Sequence, residues 1–196
     1  NLADGDILFI DEIHRMSKVV EEVLYPAMED YAIDIILGKG PSAKSVRIDL
    51  PKFTIIGATT KIGMMSAPLR DRFGSLMRLD FYNEDDLEKL VIQKSKILGI
   101  EIDKEHAREL AKRSRGTARI AIRLLKRVRD FSNYRYNSKV TKEDLFDAMN
   151  LLRVDDIGLD ENDKRLLEAI IKNFEGGPVG LNTMAAALSE EEDTIS

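Results

Sequence analysis

Four consecutive apolar residues, Ile7-Leu8-Phe9-Ile10, run straight into two acids, Asp11-Glu12. A run with no polar alternation reads as a strand buried on both faces, as in the parallel sheet of an α/β domain. Two charges at the end of such a strand are costly unless a cation or hydrogen bonds compensate them. In open α/β sheets, ligands collect just beyond the carboxyl ends of the strands. Asp11 there suits a Mg²⁺ ion held through water, and Glu12 suits a water to be oriented or deprotonated for attack on a phosphate. A strand that ends in solvated acids is the plainer alternative, and these residues alone leave the two level.

With 196 residues the chain has room for one large domain or two small ones. It is 43% hydrophobic and 33% charged, which is ordinary for a soluble globular protein. The absence of cysteine excludes disulfides and thiolate-bound metal and fits a reducing cytoplasm. His14 and His106 are the only histidines, too few for a histidine-built metal site. No apolar stretch is long enough to span a membrane and no signal peptide is visible. The chain opens at Asn1-Leu2-Ala3 without an initiator Met and ends at Thr194-Ile195-Ser196, and reads as an internal fragment. The net charge of −5 does not suggest a nucleic-acid binder, but Lys112, Arg113, Arg115, Arg119, Arg123, Lys126, Arg127, Arg129 and Arg135 concentrate basic charge. Composition alone favours a solvated helix face for this stripe.

The first part of the chain reads as the end of an α/β domain. Ser17 is placed to cap a helix reaching about Asp30, with Val19, Val20, Val23, Leu24, Ala27 and Met28 on one apolar face. Pro26 should kink or shorten it. Ile33–Leu37 and Val46–Leu50 alternate around Gly38-Lys39-Gly40-Pro41-Ser42, a β-hairpin pattern. Phe53–Gly57 is a second buried strand, expected beside the first and ending in Ala58-Thr59-Thr60.

From Asn83 the periodicity is helical. The first helix has an Asn83 cap, an acidic first turn, apolar Leu87, Leu90, Val91, Ile97 and Leu98, and Gly99 as its stop. A second runs from Asp103 to about Arg113, a third starts near Thr117, and a fourth opens on a capping-box-like Thr141–Asp144 and carries Leu145, Phe146, Ala148 and Met149. Residues 154–160 read as a linker. A helix from about Glu161 to Asn173, a turn at Gly176–Gly180 and a helix from Leu181 to Leu188 form the opening of a helix-turn-helix or winged-helix module.

Three further features carry phosphate chemistry. Thr60 ends the second strand, where a hydroxyl can contact a γ-phosphate or the attacking water; the alternative is a polar strand end. Ser66-Ala67-Pro68-Leu69-Arg70-Asp71-Arg72-Phe73-Gly74 holds an arginine fork suited to reach the phosphate of a neighbouring subunit; the alternative is a surface Arg–Asp pair. Arg119, at the N-terminus of a lid helix, can reach the same phosphates or be an ordinary surface arginine. An acidic strand end, a polar strand end, an arginine loop and a helical domain with an arginine, in that order, form the layout of an ATP-hydrolysing motor.

The runs Asp11-Glu12-Ile13-His14-Arg15, Val20 to Tyr31, Gly57-Ala58-Thr59-Thr60, Pro68 to Gly74, Arg119 to Leu125 and Gly176 to Leu181 resemble the RuvB family of AAA+ ATPases. This resemblance covers essentially the whole chain. It implies the C-terminal part of an AAA+ P-loop NTPase α/β domain over residues 1–80, an all-α lid over 81–155 and the start of a winged-helix DNA-binding domain over 156–196. It implies ATP/ADP and Mg²⁺ as cofactors, with Asp11 and Glu12 as Walker B, Asp11 on the metal through water, Thr60 as sensor 1 and Arg72 as an arginine finger acting in trans. Arg119 becomes the sensor-2 arginine, and Glu29, Asp30, Tyr31 and Tyr82 become nucleotide-site residues. The implied activity is ATP-driven branch migration of Holliday junctions in recombination, DNA repair and the SOS response, in the bacterial cytoplasm. The implied partners are Holliday-junction and duplex DNA, RuvA on the hairpin Ile33–Leu50, the RuvC resolvase complex, and five further copies in a homohexameric ring.

Two departures bear on this expectation. No G-x-x-x-x-G-K-[ST] phosphate loop is present, so its residues are expected upstream of Asn1 and the chain alone is not expected to hydrolyse ATP. Ala118 stands where the family usually has a proline, which leaves the start of the lid helix less rigid. The competing readings are another AAA+ machine of clamp-loader type and a nucleic-acid-binding adaptor with a lapsed AAA+ site.

Overall fold

The computed structural model describes residues 2–37, 44–137 and 139–192. The chain divides into two compact units, Asn1–Arg78 and Leu79–Ser196. Among the described residues no helix is long and apolar enough to cross a membrane.

In the first unit, β1 (Ile7–Ile10) pairs in parallel with β4 (Thr54–Gly57), with Ile7 opposite Thr54 and Ile10 opposite Gly57. The ladder continues past the strand ends through Ala58 N to Ile10 O at 2.9 Å and Ile13 N to Ala58 O at 3.0 Å. The expectation of doubly buried strands is not met: Ile7 and Phe9 are 64% and 59% exposed, and Ile56 is 45% exposed. The local core of Ile13, Met65 and Leu69 covers only the side on which Ile10 packs.

Helix α1 (Lys18–Glu29) runs through Pro26 without breaking, since Pro26 lies in its last turn and the Pro26 carbonyl still accepts Asp30 N at 2.9 Å. Ser17 stands at the N-cap, but its side chain makes no capping hydrogen bond. The expected apolar face is rotated: Val19, Val20 and Val23 are exposed, while Leu24, Tyr25 and Met28 pack on the core and Glu21 is buried. Glu21 is tolerated inside because its Oε2 accepts two hydroxyls, Ser66 Oγ at 2.6 Å and Tyr25 OH at 3.0 Å.

Strands β2 (Ala32–Leu37) and β3 (Lys44–Asp49) form the expected antiparallel hairpin, pairing Ile33 with Ile48, Ile35 with Val46 and Ile36 with Ser45. The expected Gly/Pro tip lies outside the described residues. The short α2 (Ala67–Asp71) is capped by Ser66, whose Oγ accepts Leu69 N at 3.3 Å.

The second unit is helical: α3 (Glu84–Ile97), α4 (Lys104–Arg113), α5 (Ala118–Tyr134), α6 (Lys142–Leu152), α7 (Glu161–Phe174) and α8 (Leu181–Leu188). Leu87, Val91, Leu110, Leu124, Leu125 and Val128 are fully buried at the centre of α3 to α6. Asn83 caps α3 as expected, and Thr141 with Asp144 closes a capping box on α6. Ile97 and Phe146, expected on apolar faces, are 74% and 63% exposed, which narrows each buried stripe.

Candidate functional site

The parallel register of β1 and β4 delivers two acids and a hydroxyl to one edge. Glu12 leaves β1 in the left-handed conformation (φ 48°, ψ 45°), uncommon for a residue with a Cβ, and a 3₁₀ turn over Ile13–Arg15 follows. Thr60 Oγ1 donates to Glu12 Oε2 at 3.4 Å, and Glu12 N donates to Asp11 Oδ1 at 3.0 Å. The structure thus brings together Asp11, Glu12 and Thr60. It adds His14, a residue not singled out from the sequence: Nδ1 lies 2.8 Å from Thr59 Oγ1 and 3.2 Å from Glu12 Oε2. The visible signal was its place two residues after Glu12, within the turn that must follow the strand.

Arg72 is held within its own chain. Its guanidinium sits 4.2 Å over the centre of the Tyr25 ring, Nη1 donates to Pro68 O at 2.7 Å, and Nε lies 3.0 Å from Glu29 Oε1. That N–H is not aligned on the carboxylate, so the Glu29 contact is an ion pair rather than a hydrogen bond. Of the other two residues of the Glu29-Asp30-Tyr31 segment, Asp30 Oδ2 takes Arg47 Nη2 at 3.0 Å, which raises the Arg47 pKa from its ordinary value. Tyr31 adopts φ 54°, packs edge-on against Phe53 at 6.1 Å and accepts Leu50 N at 2.7 Å.

Tyr82 and Arg119 belong to the second unit. Tyr82 N donates to Gly116 O at 2.9 Å, and its ring is half exposed. Arg119 lies in the first turn of α5 and lines a groove with Ile122, Arg123 and Lys126. Most of the basic stripe is already paired: Lys112 and Arg113 with Glu109, Arg127 and Arg129 with Asp130, and Arg135 with Asp144 and Asp147. Among the described residues, Arg119, Arg123 and Lys126 have no carboxylate partner, so the stripe reduces to this groove.

Two arginines that precede α5 hold the segment read from sequence as a linker and the helix that follows it. Arg113 is 10% exposed at its side chain and reaches Asp156 Oδ1 at 2.6 Å and Asp155 O at 3.2 Å. Arg115 Nη1 meets Asp163 Oδ2 of α7 at 2.9 Å. Burial would raise the Asp163 carboxyl, but the Asp160 N–H and the Arg115 guanidinium outweigh it and hold it below the usual carboxylate range. Within the expected linker, residues 155–158 therefore form a clamped turn.

Comparison with known proteins places the chain in a family. The family model described as the Holliday junction DNA helicase RuvB P-loop domain matches residues 1–79, the RuvB AAA lid domain matches 82–155, and the RuvB C-terminal winged helix domain matches 156–196. A proline-to-glycine mutant of Thermotoga maritima RuvB is 47% identical over 100% of this chain and 61% of its own, with a TM-score of 0.85. The structure described as the Thermotoga maritima RuvB Holliday junction branch migration motor is 45% identical over 98% of this chain and 60% of its own, with a TM-score of 0.82. A lysine-to-arginine mutant of the same protein gives 46%, 99%, 60% and 0.83. The chain thus spans about 60% of the length of these structures. With a P-loop-type α/β unit, an AAA lid and the opening of a winged helix matched end to end, the chain belongs to the RuvB family.

Proposed function

We propose that the full-length protein is an ATP-driven motor that branch-migrates Holliday junctions together with RuvA. The observation that carries this reading is the convergence of Glu12 and Thr60 at the ends of adjacent parallel strands, 3.4 Å apart at their oxygens. That spacing lets the carboxylate orient a water while the hydroxyl senses the phosphate it attacks.

The residues present fit Mg²⁺ and ATP. Asp11 offers a carboxylate at the strand end whose Oδ1 alone, among the described residues, is engaged, by Glu12 N, which suits a Mg²⁺ ion that keeps most of its waters and binds nucleotide phosphates. When bound, the ion would neutralise charge developing on the phosphates. Arg119, which has no carboxylate partner among the described residues, and Tyr82 are the lid's nucleotide-binding residues, and Arg72 supplies a cation to the neighbouring subunit's phosphate in a homohexameric ring. The exposed apolar faces of β1 and β4 are surfaces for further elements of the P-loop domain. Without a phosphate loop in this stretch, the 196-residue chain alone does not turn over ATP.

The hairpin β2–β3 docks RuvA, the winged helix contacts duplex DNA, the RuvC resolvase joins the same assembly, and the protein works in the bacterial cytoplasm. The test is a strand-exchange assay with full-length protein, purified RuvA and a synthetic four-way junction. Junction dissociation that needs both ATP and RuvA supports the reading. ATP hydrolysis stimulated by a sliding clamp and not by junction DNA would favour a clamp-loader role instead.

A further inference from the structure

The roles assigned above leave one buried polar ring unused. The His14 side chain is only 4% exposed, and its Nδ1 faces two oxygens, Thr59 Oγ1 at 2.8 Å and Glu12 Oε2 at 3.2 Å. A carboxylate only accepts hydrogen bonds, so the approach to Glu12 is favourable when Nδ1 carries the ring hydrogen. Thr59 Oγ1 also accepts Lys61 N at 3.0 Å, which fixes that hydroxyl in place. Thr60 Oγ1 meets the same Oε2 of Glu12. One oxygen of the carboxylate is thereby faced from two sides, and the other, Oε1, is left over. Glu12 also holds a left-handed backbone, a conformation that persists only where its surroundings enforce it.

We propose that His14 is a positioning residue for ATP hydrolysis. It ties the end of β4, through Thr59, to the Glu12 carboxylate, keeps Oε2 turned towards Thr60 and leaves Oε1 for the attacking water. The proposal rests on the reading of Glu12 as the water-orienting residue. Imidazole suits the task because its rigid ring presents Nδ1 at a fixed distance from its own backbone.

The test uses full-length protein, with steady-state ATPase rates, affinity for a fluorescent ATP analogue and thermal melting measured for each variant. In His14→Phe, which keeps the ring volume and loses the polar edge, kcat falls about tenfold, the worth of the Thr59 hydrogen bond that fixes the ring beside Glu12, while KM and nucleotide affinity stay put. His14→Asn, whose amide nitrogen occupies the place of Nδ1, recovers most of the rate; His14→Gln, whose amide reaches the place of Nε2, does not. A His14→Phe enzyme that turns over at the wild-type rate overturns the proposal, as does His14→Gln outperforming His14→Asn. If the Phe variant melts out, the Asn–Gln pair decides alone. Glu12→Gln run alongside separates the two claims: normal turnover there removes the reading of Glu12 itself, and a dead Glu12→Gln beside a fully active His14→Phe removes only the role of His14.

Discussion

Arg72 and Glu29 form an ion pair inside one chain, Nε to Oε1 at 3.0 Å, with the guanidinium stacked on Tyr25. Two residues expected at the nucleotide site therefore meet each other within one chain. Tyr25 and Glu29, four residues apart on α1, make a cradle that presents the arginine from a helix rather than from a free loop.

From that placement, Arg72→Ala in the full-length protein is expected to lower hydrolysis by about three to five powers of ten, the usual worth of an arginine finger. Mixing it with Glu12→Gln subunits restores part of the activity, because some interfaces then carry an intact Glu12 opposite an intact Arg72. Steady-state ATPase rates across mixing ratios check this. No recovery in confirmed mixed rings would rule out action in trans.

The hairpin leads to a separate expectation. Ile36 is 72% exposed and pairs with Ser45, so a charge there meets solvent in the folded unit. Ile36→Glu is expected to leave melting temperature and basal ATPase unchanged and to weaken RuvA-dependent branch migration. Loss of folding or of basal turnover would make this strand part of a core or ring interface instead.

Asp144 provides a pH test of the lid. Burial would raise its carboxyl, but the Thr141 N–H, the Asn137 amide and the Arg135 guanidinium outweigh that effect and hold it below the ordinary range. A depressed folded pKa adds stability that is complete above the unfolded carboxylate value and is lost as pH falls through the folded one. Asp144→Ala should therefore cost about 2 kcal/mol near neutrality, in chemical denaturation, and the gap to wild type should close on acidification. A gap independent of pH would assign the loss to packing.

Gly158, the glycine of the clamped turn, is predicted to tolerate a side chain far less well than Gly176. It sits at φ +89°, and a Cβ there would lie 2.3 Å from Arg113 O. Gly158→Ala should cost roughly 2–4 kcal/mol through strain and backbone displacement. Gly176, at φ +74°, has nothing within 4 Å of where a Cβ would stand. Its replacement by Ala should cost only about 1 kcal/mol. Equal costs in urea denaturation would deny the clamp.

What could be read from sequence was local. The apolar run before Asp11, the polar end at Thr60 and the caps at Asn83 and Thr141 each show their cause within a few residues. What escaped depended on distant partners. The buried face of α1 was misplaced because Glu21 is made tolerable by Ser66, 45 positions away. That the 154–160 linker is pinned was not legible, because Arg113 reaches across 43 positions to Asp156. His14 was passed over because its partners, Thr59 and Glu12, converge only once β1 and β4 are paired.

The central claim is that Glu12 orients the water that attacks ATP. The most direct measurement compares nucleotide affinity and single-turnover hydrolysis in wild-type and Glu12→Gln full-length protein. Near-normal ATP affinity with turnover abolished is the predicted result for Glu12→Gln. Binding and hydrolysis lost together, or hydrolysis retained, would contradict it.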